Sequence, residues 1–227
     1  MGITRQRILV MRHPETVANV RHFLSGRVDV DLTPRGERQM WRAIDALVAW
    51  TPTRIWSSPL KRCQAIAREA ADRLDVPVEV REDLAEIEFG SVQGMTAPEY
   101  EALGYRFPWE LGADGRSVCA PGAESFEALY ERARRLLCEL RPLTGRTACV
   151  CHGGFTRAIL GAIFDTPLDT FWNVEIPNVS SQLISCDGRD FTLDALALAP
   201  EEVALRARSP ELLTHDASRD LSGSDDQ

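Results

Sequence analysis

Arg12-His13, Arg62 and His152-Gly153-Gly154 are the residues whose types and placing could do chemistry. Each group follows a short strand-like run: the apolar residues 8–11 precede Arg12, residues 54–58, ending in two serines, lead through Pro59 to Arg62, and the mostly apolar 147–151 precede His152. Such runs read as buried strands, and in open α/β sheets ligands gather just beyond the carboxyl ends of strands. Pro14 stops further strand pairing after His13, and Thr16 and Asn19 then add a hydroxyl and an amide. Two guanidinium groups, two imidazoles and the free amides of a Gly-Gly helix start suit a small anion. An imidazole among cations also suits a nucleophile. A surface loop that happens to hold a histidine explains His13 alone; it does not explain three strand ends that agree.

The elements that must position these groups are legible around them. Thr33-Pro34 is a cap followed by proline at the first helical position. The apolar spacing of Met40, Trp41, Ile44, Leu47 and Val48 then predicts an amphipathic helix to about Trp50. Ser58-Pro59 repeats that signal and predicts a second helix to about Leu74, with Arg62 in its first turn. Helical side chains lean back toward the N-terminus, so Arg62 can reach over the strand end. Residues 76–80 predict a third strand, 124–140 a strong helix and 155–164 another. Residues 179–186 and 191–198 predict a hairpin around Asp187-Gly188. Alternating strands and helices imply an α/β fold, a mostly parallel central sheet with helices on both faces as a three-layer α/β/α sandwich. From 91 to 122 the periodicity weakens and Tyr100, Tyr105, Phe107 and Trp109 are interspersed. A loop-rich cap over a site and an ordinary packed connection both fit that pattern. The catalytic domain is expected over 1–200, followed by a polar acidic tail over 201–227 that is disordered from 209 onward.

The whole chain bounds the partner. Its 227 residues can bury a substantial core. A net charge of −8 argues against nucleic acid or an acidic membrane as partner. No signal peptide or run of membrane-spanning length is recognisable, so a cytoplasmic protein is expected. Of the six cysteines, Cys149 and Cys151 stand beside His152, but alternation on a strand sends both thiols to one face and the imidazole to the other. With no second Cys/His pair to complete a tetrahedral site, no metal is expected. The expected partner is a small molecule, and the assembled state stays open between monomer and homodimer.

The chain resembles the histidine phosphatase superfamily, also called phosphoglycerate mutase-like. The matching pieces are residues 9–16 with Asn19, 26–36, Ser57 to Arg62, Leu84-Ala-Glu86 with Phe89-Gly90, 121–125, and 150–154, in the family's order. The resemblance implies that His13 accepts the phosphoryl group as phosphohistidine. Arg12, Arg62, His152, Asn19 and the Gly153 amide would hold the phosphoryl oxygens, with Thr16 where the motif places a small hydroxyl. Glu86 matches the proton donor to the leaving oxygen, and its neighbours Leu84, Ile87 and Phe89 would desolvate it. Fixed cations around a loose phosphoryl transition state can take the place of a magnesium ion, so the resemblance implies no cofactor. The chain departs from the pattern at Pro14, where glycine is usual, and at Gln93, where glutamate is frequent. Proline loses an amide donor but keeps a carbonyl that the second imidazole nitrogen can use.

Within the family, mutases carry a longer and more basic stretch before the 121–125 motif. Here that interval holds just Arg106 and Arg116. A metal-independent phosphomonoesterase is therefore the expected function, nearest in pattern to short bacterial phosphatases such as α-ribazole-phosphate phosphatase and broad-specificity phosphatase. A phosphoglycerate mutase or sugar-bisphosphatase is the alternative within the family, and a non-catalytic binder of phosphorylated ligands the alternative outside enzymology.

Overall fold

The computed structural model describes residues 6–208. Strands β1 (Gln6–Arg12), β2 (Arg54–Ser57), β3 (Val78–Val80), β4 (Arg146–Cys151), β5 (Ser181–Cys186) and β6 (Phe191–Leu198) form one sheet in the order β3-β2-β4-β1-β5-β6. Pairs β2–β3, β2–β4 and β1–β4 are parallel, whereas β1–β5 and β5–β6 are antiparallel. Along β1, Ile8 and Val10 enter one apolar core while Leu9 and Met11 enter another. In β4, Cys149 and Cys151 face the first core, and Ala148 and Val150 face the second. Strands covered on both faces need apolar side chains at every position, which is why both read as unbroken runs.

The helices are α1 (Val17–Arg21), α2 (Pro34–Trp50), α3 (Lys61–Leu74), α4 (Ala97–Ala102), α5 (Phe126–Leu140), α6 (Gly153–Phe164) and α7 (Pro200–Arg208). Buried residues of α5 and α6 fill the first core, and those of α2, α3 and α7 fill the second, giving three layers. Thr33 caps α2 through Gly36 N at 2.9 Å, and Ser125 caps α5 through Ala128 N at 3.1 Å. Both cores are closed by large side chains, Phe126 and Phe155 on one side and Trp50 on the other, all at most 1% exposed.

Three differences from the sequence expectation have physical reasons. The helix expected at Ser58-Pro59 begins at Lys61, with Leu60 at the N-cap and no side-chain cap. Residues 201–208, placed in the acidic tail, continue α7 from Pro200 because Val203 is fully buried against the second core. The expected disorder from 209 to 227 lies outside the described residues. The weakly periodic 91–122 interval holds α4, closed by a Thr96–Glu99 capping box, and sends Trp109 into the first core. Among the described residues, no helix is long and apolar enough to cross a membrane.

Candidate active site

Strands β2, β4 and β1 are consecutive neighbours, so their carboxyl ends share one edge of the sheet. The ladder continues past the strands: His13 N donates to Cys151 O at 3.0 Å and Ser58 N to Val150 O at 3.0 Å. His13, His152 and Ser58 are thereby held side by side. The two imidazoles are buried, 4% and 0% exposed, with ring centroids 5.2 Å apart. His13 Nδ1 lies 2.7 Å from Pro14 O. A carbonyl only accepts, so Nδ1 carries the proton and Nε2 keeps its lone pair. The proline at position 14 thus supplies the carbonyl that orients the ring. Asn178 Nδ2 and Val179 N both donate to His13 O, at 3.1 and 3.3 Å, and pin the main chain. Burial first, then the charges of Arg62 and Arg12, hold the His13 pKa well below the usual 6.5.

The two arginines are anchored by carbonyls. Arg12 Nη1 donates to Ile176 O, and Arg62 donates through Nη1 to Val28 O at 2.9 Å and through Nη2 to Gly26 O at 2.8 Å. Arg12 Nε, Arg62 Nε and His152 Nδ1 are buried without a protein partner. Burying a polar atom unpaired is costly, and three of them at one place fit a site shaped for an oxyanion. Burial lowers the Arg12 pKa to about 10, against the pull of Glu86, so it stays cationic at neutral pH.

Glu86 sits at the N-terminus of α6. Its carboxylate accepts from Ile87 N at 3.0 Å, Gly154 N at 3.1 Å and Phe155 N at 3.1 Å. The desolvating apolar wall expected from its neighbours is not what it meets; Leu84, Ile87 and Phe89 turn into the first core. A side chain at Gly154 would put its Cβ 2.5 Å from Glu86 Oε1 and 2.8 Å from Trp172, so the helix start needs glycine there. The Glu86 main chain is strapped from behind. Arg132 donates to the carbonyls of Asp83, Ala85 and Glu86, and Arg27 Nε reaches Glu86 O at 3.1 Å. Glu124 of the 121–125 motif binds Arg132 at 2.9 and 2.7 Å and Arg27 at 3.3 Å.

Asn19 Oδ1 takes Thr16 N at 3.0 Å, Thr16 Oγ1 at 3.1 Å and Asn178 Nδ2 at 3.2 Å, leaving its Nδ2 amide for a ligand. The Thr16 hydroxyl spends its hydrogen on that cap of α1 rather than on the site. Gln93 Oε1 accepts from Arg27 N at 3.0 Å and so fixes the loop that carries the Arg62 anchors.

Three contributors were not found by sequence reasoning, Asn178, Arg132 and Arg157, and Glu124 stood in the matched 121–125 motif without a role. Arg157 lies one turn into α6, its Nη1 and the Arg12 guanidinium each about 3.3 Å from where a Gly153 Cβ would stand. Its Nε donates to Val174 O at 2.7 Å, and its guanidinium lies over Trp172 at 4.9 Å. The signal was available, since an arginine four residues after Gly153 falls on the same face as that first helical residue. Among the described residues, no group of three or more His, Cys, Asp or Glu could hold a metal ion.

The pattern of the histidine phosphatase superfamily (branch 1) matches residues 8–198. The chain belongs to this superfamily. A glucosyl-3-phosphoglycerate phosphatase of Mycolicibacterium vanbaalenii is 30% identical over 179 residues, covering 73% of this chain and 77% of the relative. Phosphoserine phosphatase 1 of Hydrogenobacter thermophilus is 27% identical over 188 residues, covering 81% of this chain and 88% of the relative. The native structure of a mycobacterial glucosyl-3-phosphoglycerate phosphatase aligns with a TM-score of 0.74 at 26% identity, covering 85% of this chain and 99% of that one. This histidine phosphatase is thus a phosphatase of small phosphate esters. These named relatives are glucosyl-3-phosphoglycerate and phosphoserine phosphatases, not specifically the α-ribazole-phosphate phosphatase that motif comparison placed near this chain.

Proposed function

We propose that this phosphatase hydrolyses a small, carboxylate-bearing phosphate monoester through a phosphohistidine on His13, without a metal ion. The observation that carries the reading is the bond from His13 Nδ1 to Pro14 O, which presents the Nε2 lone pair beside the unpaired polar atoms of Arg12, Arg62 and His152. Nε2 attacks phosphorus, the bond to the ester oxygen breaks, and Glu86 delivers the proton that oxygen needs. Arg12, Arg62, His152, Asn19 Nδ2 and the Gly153 amide hold the three equatorial oxygens, where charge spreads in the transition state. Water then attacks phosphorus, Glu86 takes up its proton, and the P–N bond breaks to release phosphate.

Glucosyl-3-phosphoglycerate and phosphoserine, named for the relatives, both carry a carboxyl group near the ester. Arg157 is the cation available for it, beside Arg12 and on the Glu86 side where the leaving group departs. Arg106 and Arg116 of the 91–122 interval are exposed, and Arg106 pairs with Glu110 at 3.3 Å. That favours water over a second substrate position, and so a phosphatase over a mutase. Free cysteines at all six positions fit a reducing compartment such as the cytoplasm.

Mixing the enzyme with a phosphate-labelled ester in chelator, quenching and mapping the label is the test. An acid-labile, alkali-stable label on His13, absent from His13→Ala, is expected together with phosphate release unaffected by chelator. Release at the same rate from wild type and His13→Ala would overturn the mechanism. Isomerisation of 3-phosphoglycerate without phosphate release would decide for the mutase.

A further inference from the structure

Ser58 stands where sequence predicts the cap of α3, yet it does not serve that helix as a cap; the N-cap residue is Leu60, with no side-chain cap bond. The Ser58 hydroxyl lies instead 2.7 Å from His152 Nε2. We infer that Ser58 is a positioning residue that sets the tautomer of His152, keeping its proton on Nδ1 and aiming that N–H at the phosphoryl group. The inference deepens the proposed function, because it rests on His152 being a donor to a phosphoryl oxygen.

The available hydrogens and lone pairs fix the tautomer. Ser58 Oγ already accepts from Leu60 N at 3.3 Å. Its own hydrogen needs an acceptor, and the strong one within reach is His152 Nε2. The Cys63 thiol lies 3.5 Å from the same nitrogen, but its hydrogen faces Cys151 O at 3.3 Å. A nitrogen that accepts carries no proton, so the single hydrogen of a neutral imidazole is on Nδ1. Neutrality follows from full burial among Arg62, His13 and Arg12, which holds the His152 pKa well below 6.5. Nδ1 is the nitrogen that the protein leaves without a partner. With the other tautomer, a lone pair would meet the anionic oxygens and repel them.

Backbone geometry keeps the pair in place. Ser58 N donates to Val150 O, so β2 and β4 fix the serine relative to the histidine. His152 is itself the N-cap residue of α6, and its carbonyl accepts from Thr156 N at 2.9 Å and Thr156 Oγ1 at 2.7 Å. The ring has a fixed stem, and the serine settles which end is the donor.

Two-bond proton–nitrogen correlation spectra of the imidazole-labelled enzyme read the tautomer directly, with His152→Asn used to assign the resonance. Wild type should show Nδ1 protonated and Nε2 bare, and inorganic phosphate should shift the Nδ1 signal. Ser58→Ala should lose the single tautomer, bind inorganic phosphate more weakly and lose roughly ten- to a hundredfold in kcat/KM. Ser58→Thr, which keeps the hydroxyl, should restore the tautomer and most of the activity. Protonated Nε2 in wild type would overturn the inference, as would Ser58→Ala keeping both the Nδ1 tautomer and full activity. Because the spectrum needs no turnover, a missing phosphohistidine would remove the mechanism and still leave the tautomer measured.

Discussion

A neutral imidazole is a nucleophile only if its free nitrogen faces the phosphorus, and one carbonyl decides that for His13. Proline in place of glycine changes the residue without changing the acceptor. The sequence made His13, Arg12, Arg62 and His152 legible because each stands at or just after a strand end, where one dimension of sequence maps onto one edge of a sheet. Arg157 was not legible in the same way, because its place depends on the loop that presents Val174 and Ile176 to the two arginines. If Arg157 meets the leaving group's carboxylate, Arg157→Gln should raise KM for phosphoserine about tenfold or more while changing kcat/KM for an aryl phosphate less than threefold. Steady-state kinetics with both esters check it; equal losses would place Arg157 on the phosphoryl group instead.

At the scale of elements, the segment that carries Glu86 has little regular structure of its own and is held by a strap from α5. Arg132 and Glu124, 7% and 11% exposed in their side chains, pair at 2.7 Å and fasten its carbonyls. Removing Arg132 takes from the buried Glu124 its nearest cation, leaving Arg27 at 3.3 Å, and frees three carbonyls, so the cost falls toward the lower end of the about 3–5 kcal/mol of a broken buried pair. Arg132→Met should therefore lower stability by that order in denaturant titration and slow turnover through displacement of Glu86. A change under about 1 kcal/mol would show that the strap is ornamental. Sequence pattern gave α2 with its Thr33 cap, the β5–β6 hairpin and the buried strands. It misplaced the start of α3 because a serine before proline reads as a cap, and nothing local says that a histidine 94 residues away claims the hydroxyl.

Across the whole molecule, the two buried histidines tie stability to pH. Both have folded pKa values held well below 6.5, while the unfolded chain titrates near it. Stability is thus full above about 6.5 and falls as pH drops below it, because the unfolded chain binds protons that the folded site refuses. Each histidine contributes a slope of up to about 1.4 kcal/mol per pH unit. Denaturant titrations between pH 7.5 and 5 should show wild type losing stability faster than His13→Gln/His152→Asn. Parallel curves would mean that the imidazoles are not kept neutral. The sheet order explains why both sit so deep: β4, which leads to His152, is laid between β2 and β1, and β1, which leads to His13, between β4 and β5, so each end is flanked on both sides.

The rings of Phe89, Phe107, Trp109, Phe126 and Trp172 pack against one another at centroid distances of 4.8 to 6.2 Å, mostly edge to face. Trp172 carries this wall up to Gly154 and the Glu86 carboxylate. Interlocked rings of this kind have no slack for swinging aside. Trp172, braced by its neighbours Phe107 and Phe126, is thereby fixed where it meets the start of α6 beside the general acid.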